Sequence, residues 1–157
     1  MVQRSFIRKI DEVRHMNYWD QLKKLHLYSL ERRKERYIII YIWRILENQV
    51  PDFTSGKIYS INEGGRLGRK CSFPNISTQA SSDIKKIRYS SLSVKGSQLF
   101  NIIPPEIRNI NSCPVEVFKR ALDKFLSVVP DEPLIPGYTA MRRTNSNSLL
   151  DMATFRV

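Results

Sequence analysis

Ser29-Leu30-Glu31-Arg32-Arg33-Lys34-Glu35-Arg36-Tyr37-Ile38-Ile39-Ile40-Tyr41-Ile42-Trp43-Arg44-Ile45-Leu46-Glu47-Asn48 decides how this chain is read. Neither Gly nor Pro interrupts it before Pro51. A span of that length suits a helix better than a strand, although β-branched and aromatic residues dominate 37–43. Ser29 is a natural N-cap, and Pro51 stops the helix from running much beyond Asn48. Its two halves differ. Residues 31–36 are charged all round and are expected to be mostly solvated or bound to something, whereas 37–43 are apolar all round and are expected to be mostly buried.

Upstream, Asn17 is positioned to cap a shorter helix from Tyr18 to about His26, with Asp20 near the positive end of its dipole. Trp19, Leu22 and Leu25 share one side of it, and Lys23 and Lys24 point elsewhere. Leu27-Tyr28-Ser29 then forms a tight connection. Downstream, residues 52–100 turn rich in Ser, Gly, Asn and Thr and lose any helical period. Lys57–Ile61 and Lys70–Phe73 alternate well enough for short strands, with the turn-rich Asn62–Gly68 between them. Residues 77–83 read as a polar loop and 88–94 as a further strand.

Periodicity returns in the last third. Ser97–Ile103 is a short helix stopped by Pro104-Pro105. Ser112 is placed to cap a helix with Pro114 near its first turn. Val115, Phe118, Leu122 and Phe125, widened by Leu126, make its apolar stripe. Pro130, Pro133 and Pro136 suggest an extended arm, followed by a loose tail with one helical turn around Leu149. The expected fold is thus α+β, mainly α: an N-terminal helical hairpin, a middle segment of short strands, an amphipathic helix and an extended tail. Three segments follow: 1–50, 51–129 and 130–157.

The 157 residues carry 26 Lys and Arg against 15 Asp and Glu, a net charge of +11. Residues 1–44 hold 11 basic and 5 acidic residues, net +6; 45–100 hold 8 and 4, net +4; 101–157 hold 7 and 6, net +1. Such a field favours polyanions, nucleic acid first. No apolar run approaches the length of a membrane span, and the N-terminus mixes Arg4, Arg8 and Lys9 with single apolar residues, unlike a signal peptide. The two cysteines are too few for a disulfide framework, so the expected setting is intracellular, nuclear or cytoplasmic, with no membrane partner.

Chemistry is scarce. His15 and His26 are too far apart for a helical metal pair, and with Cys71 and Cys113 they lack ligand spacing. There is no Asp-Asp pair for two-metal phosphoryl transfer and no Gly-Lys-Ser/Thr phosphate loop. Neither a cofactor nor a small-molecule substrate is expected, and the chain is read as a non-enzyme. Gly64-Gly65-Arg66-Leu67-Gly68-Arg69-Lys70 is a Gly-rich basic loop whose amides and cations could cradle a phosphate, though a plain flexible hairpin link is the better reading of it. The candidate nucleic-acid contacts are Lys23, Lys24, Arg32, Arg33, Lys34, Arg36, Arg66, Arg69 and Lys70. Generic phosphate contact needs no fixed geometry toward base edges. Two helices joined by a turn also admit a helix-turn-helix, with Arg32, Arg33 and Arg36 at the start of the reading helix. Tyr18, Trp19, Tyr28 and Tyr37 are available to stack on unpaired bases or to fill a core.

Several blocks carry a resemblance. Tyr18-Trp19-Asp20-Gln21-Leu22-Lys23-Lys24-Leu25, Ser29–Tyr37 and Ile42-Trp43-Arg44-Ile45-Leu46 come first. Ser93-Val94-Lys95-Gly96, Leu99-Phe100-Asn101, Pro104-Pro105-Glu106-Ile107-Arg108-Asn109 and the Phe118–Leu126 pattern follow. In this order, over roughly residues 2–150, they resemble the region C-terminal to the polymerase core in LINE-type (non-LTR) retrotransposon reverse transcriptases, jockey-like ones especially. Those enzymes copy element RNA into DNA using a polymerase palm with an Asp-Asp motif and a separate endonuclease, neither of which this sequence carries. The resemblance implies a thumb and post-polymerase segment gripping a primer–template backbone through cations such as Arg32–Arg36. Upstream truncation of such an element would leave a remnant beginning at an internal Met such as Met1. The expected partners are an RNA or DNA backbone and a polymerase core. Alternatively, the segment only docks that core, through 37–43 and the 115–125 stripe, without nucleic-acid affinity of its own.

Overall fold

In a computed structural model, residues 2–51, 58, 60–63, 68–72, 81–83, 87, 91–133 and 147–153 are described, with 62, 63 and 153 as backbone alone. The fold is α+β, mainly α. Helices α1 (Val2–Ile7), α2 (Tyr18–Lys24) and α3 (Leu30–Leu46) precede strands β1 (Ser60–Glu63) and β2 (Gly68–Cys71). A π-helical turn, Leu92–Gly96, leads into α4 (Ser97–Ile102). Helices α5 (Pro105–Arg108), α6 (Val115–Val128) and α7 (Leu149–Ala153) complete the order. Contacts divide the chain into two compact units, Met1–Lys34 with Pro130–Val157, and Glu35–Val129. The tail is therefore grouped with the N-terminal helices, and the division falls inside α3 rather than at residue 50.

The N-terminal unit is built on Ile7, Val13 and Leu22, with Ile10, Met16, Tyr18, Trp19, Leu25 and Leu27 packed against them. Gln3 ties its edges together: Oε1 accepts the Tyr18 hydroxyl at 2.8 Å, and Nε2 donates to the Tyr28 carbonyl at 2.9 Å. Asn17 caps α2 as expected, its Oδ1 accepting from the amides of Trp19 and Asp20 at 3.0 Å each. The helix ends at Lys24, because His26 takes the left-handed conformation at φ 51°. The His26 amide donates to the Lys23 carbonyl and the Leu27 amide to the Leu22 carbonyl, a Schellman closure usually built on glycine. Asn48, at φ 55°, does the same for α3: its amide reaches Ile45 and that of Gln49 reaches Arg44. Backbone handedness at Asn48, not Pro51, thus sets the end of that helix.

In the second unit, Ile39, Ile42 and Trp43 of α3 are wholly buried. The Trp43 indole stacks on Phe118, with centroids 4.9 Å apart and planes 12° apart, and its Nε1 donates to the Ile110 carbonyl at 2.7 Å. Phe118, Leu122 and Leu126 form the buried stripe of α6. Val115 and Phe125, expected in that stripe, are only half-buried, because a 3.6-residue period carries the stripe from Leu122 to Leu126. The strands pair antiparallel, Ser60 opposite Cys71 and Glu63 opposite Gly68. Asn101 completes the free edge of β2: Oδ1 accepts the Cys71 amide and Nδ2 donates to the Cys71 carbonyl, both at 2.8 Å. Gly68 has φ 63°, and a Cβ there would meet the Asn109 side chain at 2.7 Å, so glycine is required.

Three local expectations are corrected. Residues 92–94 lie in the π-helical turn, where Ser97 Oγ donates back to the Ser93 carbonyl at 2.8 Å, so they are not a strand. Within 77–83, Ser82 and Asp83 are helical; 77–80, like 88–90, lie outside the described residues. Ser112 does not cap α6; it sits at φ 50° with its amide donating to Glu47 Oε2 at 2.8 Å, and the helix starts after Pro114. No helix among the described residues is long and apolar enough to cross a membrane.

Candidate nucleic-acid interface

The nine candidate cations separate into two kinds. Arg32 is 0% exposed. Its Nη2 donates to the Pro130 carbonyl at 2.8 Å and the Asn147 carbonyl at 3.4 Å, and Nε lies 3.8 Å from Asp131 Oδ1, an ion-pair distance rather than a hydrogen bond. Asp131 in turn accepts the Ser29 amide at 2.6 Å and the Ser29 hydroxyl at 2.8 Å. Ser29 Oγ also accepts the Arg32 amide at 3.1 Å, so Ser29 caps α3 as expected while Asp131 backs the cap with a full negative charge. A guanidinium at the third residue of a helix opposes the dipole, and this carboxylate offsets it.

Arg36 is also turned inward. Its Nε and Nη2 donate to the two oxygens of Asp123 at 2.5 and 2.7 Å. Glu35, wholly buried, lies 4.0 Å from the Lys95 ammonium. Arg69 is buried on β2, Nη1 donating to Glu47 Oε1 at 2.6 Å and Nε to Ser60 Oγ at 3.2 Å. The expectation that 31–36 is mostly solvated or bound to something is thereby corrected for Arg32, Glu35 and Arg36, while Arg33 and Lys34 face solvent. Arg32, Glu35 and Arg36 continue the face of Ile39, Ile42 and Trp43, and each has an oppositely charged partner within its own unit. In a groove-reading helix, Arg32 and Arg36 would reach base edges; here both are spent on carboxylates.

The remainder face outward. Lys23, Lys24, Arg33 and Lys34 are exposed. Lys23 donates to Glu132 at 3.0 Å, a surface pair of small worth. Lys24, Arg33 and Lys34 have no ion-pair partner among the described residues. Lys70 is half-buried opposite Ile61, and Arg66 lies outside the described residues.

The sequence missed one member of the cluster. Arg4 places its guanidinium 4.8 Å from the Tyr18 ring centroid. Burial raises the Tyr18 pKa, and the Arg4 charge opposes that rise, as does Arg33 more weakly, while Asp131 adds to it. Arg4, Tyr18 and Arg33 therefore share one neighbourhood of the N-terminal unit. The signal lay in Gln3 and Arg4 falling on a short helix, α1, which the mixed N-terminal sequence conceals.

Among the described residues no three His, Cys, Asp or Glu side chains gather to hold a metal, and both cysteines are free thiols. Cys71 is buried, with Sγ 3.2 Å from Ser97 Oγ and 3.5 Å from the Ser72 carbonyl. No protein-family model, curated protein or solved structure matches the chain.

Proposed function

We propose that this chain is a non-catalytic segment that holds an RNA or DNA backbone without reading its sequence, as the region after the polymerase core of a LINE-type reverse transcriptase would. The observation that carries the reading is selective exposure. Arg32, Arg36 and Arg69 are each matched to a carboxylate, whereas Lys24, Arg33 and Lys34 are left facing solvent in the unit with the densest positive charge. Two of these follow directly on the first turn of α3, where cations gain nothing from the helix dipole. Phosphates would supply the missing counter-charge, at the cost of salt sensitivity.

The test is the affinity of the full chain for duplex DNA and RNA between 50 and 200 mM salt. Each phosphate neutralised steepens the log–log slope by about 0.9 on B-DNA. The Arg33→Glu, Lys34→Glu double variant should flatten it by about 1.8 if each side chain contacts one phosphate. A salt-independent response of the parent chain rejects the reading and leaves the docking module as the better account.

A further inference from the structure

The solvent side of α3 carries a feature that its core side does not explain. Tyr37, Tyr41 and Arg44 stand at i, i+4 and i+7, on one face of the helix. Tyr37 is 66% exposed, Tyr41 is half-buried, and with Ile38, Ile40, Arg44 and Leu92 they line an open groove of about 360 Å³. Arg44 lines the groove, and its Nε, itself buried, has no hydrogen-bond partner among the described residues. The Arg36 guanidinium, its charge already met by Asp123, lies 5.7 Å from the Tyr37 ring centroid and borders the same ring.

We propose that this groove is a stacking platform for unpaired nucleobases, with Tyr37 and Tyr41 against the base faces and Arg44 holding the sugar-phosphate chain beside them. The occupant follows from the chemistry. Two aromatic side chains beside the apolar Ile38, Ile40 and Leu92 suit the face of a base, and Arg44 among them, in a chain of net charge +11, suits a polyanion. Bases still stacked in a duplex do not offer their faces, so the strand is single. The inference rests on the backbone-binding reading for the sign of the ligand but uses different residues, since the groove belongs to the second unit and Lys24, Arg33 and Lys34 to the first.

The experiment compares the full chain binding a 15-mer of thymidylate with its binding of a 15-mer of abasic deoxyribose phosphate, which has the same charges and no bases. Stacking of one base should favour the thymidylate strand about tenfold or more. Tyr37→Ala, at a solvent-facing position, should erase that preference while leaving the salt slope in place, and Tyr37→Trp should preserve it. Arg44→Gln should reduce the slope on either strand by about 0.7. Equal binding of the two strands with a steep salt slope overturns the platform alone; a flat slope on both overturns the backbone reading as well. Tighter capture of a glutamate-rich peptide than of thymidylate, lost in Tyr37→Ala, overturns the platform in favour of a protein partner.

Discussion

Arg36 grips Asp123 through two parallel hydrogen bonds, so a cation from the middle of the longest helix and an anion from α6 cancel inside one unit. This pair removes Arg36 from the surface charge available to a ligand. Asp123→Ala should release it. The expected outcome is a loss of about 1–2 kcal/mol of stability in urea unfolding, together with tighter nucleic-acid binding whose salt slope steepens by about 0.9. A variant that is less stable yet binds better would separate the structural use of the guanidinium from its binding potential.

Arg32 makes the opposite prediction. It is buried against Asp131 and two carbonyls, so Arg32→Ala leaves a carboxylate without its charge partner and should cost about 3–5 kcal/mol. Adding Asp131→Asn should recover part of that loss, because the stranded charge is then gone. Thermal unfolding of the two variants beside the parent measures both effects.

Tyr18 gives the N-terminal unit an alkaline limit. Burial raises its pKa above the ordinary 10.0, so the folded chain keeps the phenol neutral to higher pH than the unfolded chain does. The resulting stability is complete below pH 10 and drains away as pH rises through the raised value. Ionisation also removes the proton that the hydroxyl donates to Gln3 Oε1. Tyr18→Phe should be slightly less stable at neutral pH, and its stability should fall less between pH 9 and 11, as read from denaturant midpoints.

His26 occupies a left-handed position that glycine fills without strain. His26→Gly should therefore stabilise the chain, or at worst be neutral, within about 1 kcal/mol, the relief of strain being offset by the greater freedom of glycine when unfolded. Its exposed side chain has no packing to lose. A rise in Tm without change in the urea m-value is the expected result.

The sequence was legible where a side chain acts on its own backbone. Asn17 and Ser29 could be recognised as caps, and a helix from Leu30 to about Asn48, against the observed end at Leu46, from local chemistry alone. It was opaque where two distant residues settle the matter. Reading 31–36 as one charged block hid its sidedness: Arg32, Glu35 and Arg36 lie at helical spacing from Ile39, Ile42 and Trp43, whereas Arg33, Lys34 and Tyr37 do not. Following the apolar face backward through the charges would have separated inward from outward cations. Asp123 and Asp131 as their partners could not have been named, since both lie some 90 to 100 residues downstream. The helix stops at His26 and Asn48 escaped notice because the residues that usually announce a Schellman closure are glycines. The π-helical turn at Leu92–Gly96 gives no periodic signal at all in so short a segment.

The side chain of Asn147 donates to Ser29 Oγ at 2.8 Å and to Asp131 Oδ1 at 3.0 Å, while its carbonyl receives Arg32. Trimming the C-terminus at residue 146 would therefore not be a cosmetic shortening. It would withdraw a lid from a sequestered guanidinium, expose the first turn of the longest helix to water, and unsettle residues more than a hundred positions away. Anyone preparing a minimal version of this polypeptide should keep Asn147 and the helix Leu149–Ala153 that follows it.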